Sequence, residues 1–364
     1  NGGFYSALDA DSEGEEGKYY VWTENDLKGL LKHDEQLISK YYNVQAHGNW
    51  EHGNNILFRN KMDQDFLQEN SLSQTSWSST LKSAKQILLD HREQRIKPGL
   101  DDKIITGWNA MMIGGLIDAY KALRSRPLLD VAKRNLQFLS ENLVEGTIVY
   151  RSFKGKHSTT QGFLDDYAYL TQAYLKMYQV TFDENLLHQA KKLLIHTLEN
   201  FYDPTDGYFF FTSHEESSLI SRKKEIFDNV IPSSNALMAQ NLFQLGILFD
   251  HDEWKKKATD MVEPLSRLIK SDPNYMSQWA IVFTEIKKGM AEVVLLGTEN
   301  GDLRAAFQEK YHPFSLFMGT ENTSTLPLLT GKTIQNGKST IFVCYNKTCQ
   351  QPVHTVPDAE KMLL

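Results

Sequence analysis

Acidic residues recur at the start of predicted buried helices in this 364-residue sequence. Asp102 precedes a largely apolar segment over residues 103–122, and Asp166 opens the next such segment. Asp228 comes shortly before a third, and Asp11 lies on a loop between two β-like segments. Glycoside hydrolysis needs two carboxyl groups, one protonated as a general acid and one ionised as a base or nucleophile. These four aspartates are therefore the candidate catalytic residues.

Each of these positions also suits a helix N-cap, for which Asp, Ser and Asn are the favoured residue types. The positive end of the helix dipole favours the ionised carboxylate there, which suits a base or nucleophile and opposes a general acid. Both interpretations, catalytic carboxylate and cap, stay open for each aspartate, and the cap is the commoner use of such a residue.

Side chains suited to contact a sugar lie near the aspartates. Aromatic rings could stack against a sugar, although aromatic residues at these positions more often belong to a core. A sugar epimerase would use histidine as acid and base, and only one histidine stands just upstream of a buried helix. The candidate substrate contacts are Trp22, Trp108, Asn109, His157, Tyr167 and Asn235.

The sequence predicts neither a metal site nor a cofactor. The segment 9–14 resembles the opening of a calcium loop, but Tyr20 occupies the position where such a loop needs a bidentate Glu. The two cysteines, Cys344 and Cys349, have the spacing of neither a redox motif nor a zinc knuckle. A structural role and a thiol relay with another domain are both open for them.

The composition excludes several classes of function. With 41% apolar and 23% charged residues, the sequence is not that of a disordered chain. No apolar run approaches the roughly 18 residues of a membrane span. A net charge of −7, spread along the chain, argues against nucleic-acid binding. With so few cysteines and no hydrophobic leader, we expect a cytoplasmic protein without a membrane or nucleic-acid partner.

The predicted helices alternate between two kinds. Apolar residues cover most of the circumference of one kind, which is typical of helices buried on all sides. They span residues 103–122, 163–178, 235–249 and 277–286. The other kind has a single apolar stripe, and it spans residues 77–91, 128–143, 187–201 and 254–268. Because buried and one-sided helices alternate, we predict a mainly α fold, a toroid of helical hairpins of the (α/α)6 type. The unequal spacing of the buried helices disfavours an α-solenoid.

Short strands are predicted around this helical frame. Aromatic and β-branched segments between the helices predict β-hairpin inserts at residues 3–7, 18–22, 147–150 and 207–211. From about residue 291 the pattern changes to strands at 292–297, 314–318 and 339–345 with a helix at 302–311. We therefore expect a toroid over residues 1–290 and a small α/β appendage, residues 291–364, packed on it.

Several segments resemble one family, in which an N-terminal thioredoxin-like domain is joined to an (α/α)6 toroid. This family includes the spermatogenesis-associated thioredoxin-like proteins. The matching segments run in order along nearly the whole chain. They are GGFYSA (2–7), DADS (9–12), EGKYYVWT (16–23), GN (48–49), NIL (55–57), DDKIITGWN (101–109), FLDDYA (163–168), PSSN (232–235) and the stretch from Cys344 through Cys349 to Pro352.

The resemblance implies a thioredoxin-like domain upstream, as a partner within the same full-length protein. It also implies that the first hairpins precede this chain, so that the ring is incomplete here. The toroid is similar to those of N-acylglucosamine 2-epimerases and six-hairpin glycosidases, which implies carbohydrate chemistry by analogy.

Three hypotheses on function follow. The first is a carbohydrate-active toroid, hydrolase-like, with paired carboxylates at the starts of the buried helices. The second is a scaffold that binds a ligand or partner for the thioredoxin-like domain without catalysis. The third is a sugar epimerase or isomerase.

Overall fold

Two units, each with its own core, make up the computed structural model, which describes residues 2–215, 221–321 and 323–363. We call Ala7–Asp102 the N-terminal unit. The hairpin unit consists of Asn1–Ser6 together with Lys103–Leu364. The predicted boundary at residue 291 falls inside the hairpin unit and stays a prediction.

The N-terminal unit contains four α-helices and four very short strands. In chain order these are β1 (Ala7–Leu8), β2 (Asp11–Ser12), β3 (Glu15–Glu16), α1 (Glu24–Leu31), α2 (Glu35–Tyr41), α3 (Asp63–Glu69), α4 (Gln74–Arg92) and β4 (Leu100–Asp101). Strand β1 pairs antiparallel with β4, and β2 with β3.

Aromatic packing forms the core of this unit. The ring of Tyr41 meets those of Phe66 and Trp77 edge-on, with centroids 5.0 and 4.9 Å apart. Helix α1 begins with a capping box, in which Thr23 accepts from the backbone N–H of Asp26 and the Asp26 carboxylate accepts from that of Thr23. The cap fixes where α1 starts and therefore which of its faces meets this core.

The hairpin unit consists of successive helical hairpins followed by a small sheet. Its first part comprises β5 (Ile104–Ile105), α5 (Thr106–Leu123), α6 (Arg126–Asn142), β6 (Val144–Glu145), β7 (Ile148–Val149), β8 (Ser152–Lys154), β9 (Lys156–His157), α7 (Leu164–Thr181), α8 (Glu184–Asn200), α9 (Ser234–Leu248), α10 (Asp252–Val262), α11 (Ser266–Ser271) and α12 (Ser277–Lys288). Helix α5 packs on α6, α7 on α8, and α9 on α10.

Helices α5, α7, α9 and α12 lie side by side, and we call them the inner helices. Nearly every residue of α7 and α9 is buried, whereas α6, α8 and α10 each bury a single stripe. A helix that is apolar on most sides must be covered on most sides, and α7 and α9 follow this prediction. Helices α5 and α12, which were also predicted to be buried on all sides, instead bury one face and leave Trp108, Met112 and Ile281 exposed. The mainly α fold with helical hairpins of the (α/α) toroid type is confirmed.

The β-like segments between helices are shorter than predicted. Strands β6 and β7 form a hairpin, and β5, β8 and β9 form a three-stranded antiparallel sheet. The predicted hairpins at 18–22 and 207–211 are each reduced to one isolated bridge, between Trp22 and Asn55 and between Tyr202 and Phe209. Tyr19, Trp22 and Phe209 of these segments are buried, which accounts for part of the β-like composition without a strand pair.

The last part of the hairpin unit is a small α/β element. It comprises β10 (Ala291–Leu296), α13 (Asn300–Phe307), β11 (Ser315–Thr320), β12 (Thr340–Tyr345), β13 (Thr348–Cys349) and α14 (Val356–Glu360). The sheet order is β11-β10-β12-β13, with β10 and β11 parallel and the other pairs antiparallel. A disulfide between Cys344 and Cys349 joins β12 to β13. The backbone N–H of Phe317 donates to the Gln179 side chain at 3.2 Å, which ties this element to α7.

In the part of the chain that the structure describes, no helix is both long and apolar enough to cross a membrane.

Candidate functional site

Asp166 lies fully buried where α5 and α7 begin. Its carboxylate accepts hydrogen bonds from the backbone N–H of Gly107 at 2.8 Å and of Phe163 at 2.9 Å. Arg151 adds an ion pair at 2.8 Å. Burial, and next the neighbouring Asp165 carboxylate, raise the pKa of Asp166 to about 7, while Arg151 opposes the shift. Asp166 therefore connects the starts of two inner helices.

Arg151 binds both acidic residues at the start of α7. One of its terminal nitrogens lies 2.9 and 2.8 Å from the two oxygens of Asp165 and 2.8 Å from Asp166. Its guanidinium also lies over the ring of Phe163 at 5.2 Å. The two carboxylates of this segment thus share one cation, which offsets part of the cost of burying them.

Asp228 likewise connects the starts of two inner helices, α9 and α12. One oxygen accepts from the backbone N–H of Ser233 and the other from that of Gln278, both at 2.8 Å. These donors are orphan N–H groups at the starts of α9 and α12. The geometry of Asp166 and Asp228 is that of the cap interpretation, and a catalytic role for either stays a prediction. Asp11 and Asp102 belong to the N-terminal unit, where Asp11 is exposed and Asp102 half-buried.

Two predicted substrate contacts have buried amides that bind backbone. Asn109 accepts from the N–H of Phe4 at 2.7 Å and donates to its carbonyl at 3.1 Å. Asn235 likewise accepts from the N–H of Phe209 at 2.7 Å and donates to its carbonyl at 3.0 Å. Each asparagine therefore holds an extended segment against the first turn of an inner helix. Its amide bonds to both the N–H and the carbonyl of one residue, as a neighbouring strand does.

The other predicted contacts differ in exposure. The hydroxyl of Tyr167 is buried and accepts from the N–H of Val149 at 3.0 Å. Trp22 is buried in the N-terminal unit. His157 is exposed and stacks on a tyrosine, whereas Trp108 leaves 45% of its surface exposed at the start of α5. Of these four, only Trp108 and His157 present free surface to a ligand, and their roles stay predictions.

The structure adds a polar cavity that the sequence reasoning missed. It has a volume of about 770 Å³, and side chains from all four inner helices line it. We call it the inner-face cavity. Its polar lining includes Asp118 of α5, Gln172 and Lys176 of α7, Gln240 and Gln244 of α9, and Gln278 and Glu285 of α12.

A buried carboxyl group, that of Glu285, is the centre of the hydrogen bonds in this cavity. It accepts from the amide of Gln240 at 2.6 Å and from that of Gln244 at 3.2 Å. The amide oxygen of Gln240 in turn accepts from Gln172 at 2.9 Å and from Gln278 at 2.8 Å. Burial raises the pKa of Glu285 to about 7, although the two amide donors oppose the shift.

The direction of these bonds follows from Glu285. A carboxyl oxygen without a proton only accepts, so Gln240 and Gln244 turn their NH₂ groups toward it. Gln240 then offers its oxygen to Gln172 and Gln278, which must also point their NH₂ groups inward. Within the described residues, the side-chain oxygens of Gln172, Gln244 and Gln278 accept no hydrogen bond. They remain as acceptors for water or for a ligand.

A sequence signal for this cavity exists. Gln172 and Lys176, and again Gln240 and Gln244, are four residues apart on helices that are otherwise apolar on nearly all sides. That spacing places each pair on one helix face. Polar pairs of this kind in a buried helix indicate a polar cavity.

Among the described residues, no group of three His, Cys, Asp or Glu side chains is placed to hold a metal ion.

These features define a toroid-type fold with a polar cavity on its inner helices. No protein-family model matches the chain. Its homologues include spermatogenesis-associated protein 20 of mammals. The mouse protein is 25% identical over 409 residues, which cover all of this chain and 52% of the mouse protein. The chain thus spans about half the length of the curated relatives it matches.

Among solved structures, two similar ones are enzymes that act on carbohydrates. The GH76 α-mannanase of Bacteroides thetaiotaomicron is 16% identical, with 85% of this chain and 92% of that chain covered at a TM-score of 0.43. The cellobiose 2-epimerase of Bacillus thermoamylovorans is 14% identical, with 73% and 66% covered at a TM-score of 0.39. Likenesses at this level carry no argument about function, which has to come from the side chains.

Proposed function

We propose that the hairpin unit binds a carbohydrate in the inner-face cavity. The observation that carries this proposal is the amide network around Glu285, which leaves three amide oxygens as acceptors within the cavity lining. Sugar hydroxyls both donate and accept, so they could bond to these oxygens and to the ammonium groups in the same lining. A volume of about 770 Å³ lies within the usual range for small-molecule sites.

Hydrolysis is a second candidate function, and the pKa of Glu285 favours it. A general acid must hold a proton near the working pH, and a carboxyl with a pKa of about 7 does so. Asp118, ion-paired with Lys176 at 2.6 Å, is a second carboxylate in the same lining. Paired carboxylates at the helix starts, as in the sequence hypothesis, are the competing arrangement. A sugar epimerase would need a histidine, and His312 also lines the cavity.

Binding without turnover is the alternative to both reactions. In that case the cavity would present a ligand to a thioredoxin-like domain of a longer protein. The binding proposal is common to all of these possibilities, so it is the one to test first.

The test is calorimetric titration of the whole chain with a panel of neutral mono- and oligosaccharides. At least one sugar is expected to bind the wild type and to bind Glu285→Gln and Gln240→Leu at least about tenfold more weakly, since each variant removes a polarised donor or acceptor. Glu141→Gln, at an exposed position on α6, is the matched control and should bind as the wild type does. Equal binding by all variants, or no binding of any sugar, would refute the proposal.

Turnover is tested separately with chromogenic aryl glycosides. If hydrolysis occurs through Glu285, the rate of hydrolysis falls in Glu285→Gln and stays the same in Asp228→Asn. The opposite pattern would place the chemistry at the helix starts.

A further inference from the structure

Two lysines share one carboxylate in the wall of the inner-face cavity. Lys176 of α7 reaches Asp118 of α5 at 2.6 Å. Lys121, also on α5, has its ammonium 3.9 Å from the same carboxylate, beyond hydrogen-bond distance. Burial, and the neighbouring Lys176, lower the pKa of Lys121. With both lysines protonated, the cluster carries one more positive than negative charge, in a protein whose net charge is −7.

Structural roles account for part of this cluster. A lysine in the last turn of a helix compensates the negative end of the helix dipole, which explains Lys121. Lys176 lies more than a turn before the end of α7, and its ion pair with Asp118 joins two inner helices. Neither role requires both lysines to line one cavity, as they do.

The cavity also continues past this cluster. An adjoining cavity of about 830 Å³ shares Asp118, Lys121 and His312 with the inner-face cavity and is lined beyond them by Arg124. Arg124 is paired with Glu309 at 2.7 Å. A ligand that bonds to the Glu285 network at one end could therefore place a further group beside Lys121 and Lys176.

We propose that Lys121 and Lys176 bind an anionic group, a carboxylate or a phosphate, carried by the carbohydrate in the inner-face cavity. The inference rests on the proposed function and names its substrate class as acidic sugars. An anion between the two ammonium groups would supply Lys121 with the hydrogen-bond acceptor that Asp118 does not give it. Charge-assisted bonds of this kind are about twice as strong as neutral ones.

The charges facing the cluster come from several elements. Asp118 competes directly for both lysines, and Glu285 of α12 also lines the cavity. His312, whose pKa burial lowers, faces it from the segment before β11. Because Asp118 is the competing anion, its removal should strengthen binding of an anionic ligand, whereas removal of either lysine should weaken it.

The experiment compares three probes on the whole chain: a neutral sugar, the matching uronic acid and the matching sugar 6-phosphate. Inorganic phosphate serves as a fourth probe, which reports the anion site without the sugar. We expect the acidic sugars to bind about tenfold more tightly than the neutral one. The uronic acid and the phosphate separate the two sources of negative charge.

The lysine and aspartate variants should change the preference for acidic sugars in opposite directions. Lys176→Met and Lys121→Met should each abolish the preference for acidic sugars, and Asp118→Asn should increase it severalfold. Lys256→Met, at an exposed position on α10, is the matched control and should change nothing. Since Asp118 is about half exposed, Asp118→Asn is expected to fold normally, which keeps the test decisive if a lysine variant does not.

Failure of this inference is distinguishable from failure of the proposed function. If neutral and acidic sugars bind equally, or if the preference survives both lysine variants, the anion site is refuted and carbohydrate binding stands. If phosphate binds in a Lys176-dependent manner, no neutral sugar or uronic acid binds, and the sugar 6-phosphate binds no more tightly than phosphate, the anion site stands and the proposed function fails.

Discussion

Replacing Glu285 by Gln should change how the stability of the protein depends on pH. Burial raises the pKa of this carboxyl from 4.5 to about 7. Below about pH 4.5 the group is protonated in both the folded and the unfolded state. As the pH rises from there to about 7, the unfolded state loses the proton and the folded state retains it. The free energy of unfolding therefore falls across this window, by about 3 kcal/mol for the full shift.

The Gln side chain carries no titratable proton, so Glu285→Gln lacks this fall. Its NH₂ group faces other amide donors, which adds a cost that does not depend on pH. The diagnostic quantity is thus the difference in unfolding free energy between variant and wild type, measured by urea denaturation from about pH 4.5 to about pH 8. As the pH rises, the variant should become more stable relative to the wild type by up to about 3 kcal/mol.

Asp166 titrates in the same window, but its contribution cancels in the comparison. Glu141→Gln, which removes one exposed carboxylate, controls for net charge. A difference between Glu285→Gln and wild type that stays flat with pH would refute the reasoning, because it would mean that burial does not shift the pKa of Glu285.

Three further predictions concern the starts of the inner helices. Arg151→Met should destabilise the protein by about 3 to 5 kcal/mol in urea denaturation at neutral pH, because it leaves two buried carboxylates without their cation. The loss should be smaller at about pH 5, where protonation of Asp166 offsets it, and a loss independent of pH would contradict this account. Asp228→Ala should cost about 2 kcal/mol by the same assay, since the starts of α9 and α12 lose acceptors, and a neutral effect would contradict the cap geometry. Asn235→Ala should cost about as much and should expose the segment at Phe209 to faster amide hydrogen exchange, whereas unchanged exchange would show that the pinning bonds are weak.

The alternation of buried and one-sided helices was predictable from the sequence because it depends on where apolar residues fall around each helix. Helix α9 is buried on nearly all sides and α10 on one, and their sequences show it directly. The short helices α1, α2 and α3 were missed because seven or eight residues give too few turns for a periodic pattern. The capping box at Thr23 was present in the sequence as a local sign of α1.

The candidate site was only partly predictable. Asp166 and Asp228 were correctly located near helix starts, but a sequence does not show which N–H groups an aspartate meets. The partners of Asp166 include Gly107, 59 residues away, and those of Asp228 include Gln278, 50 residues away. The inner-face cavity was missed because Gln240 and Gln244 lie among apolar residues in the sequence. Their hydrogen bonds to Glu285, on another helix, become visible only in the structure.

The central claim, that the inner-face cavity binds a carbohydrate, is tested most directly by a crystal structure of the protein in complex with a sugar that binds it in solution. The account predicts the sugar in this cavity, with hydroxyl groups within hydrogen-bond distance of Glu285 or of the free oxygens of Gln244 and Gln278. A sugar bound instead beside Arg151 and Trp108, with the inner-face cavity holding only water, would contradict it.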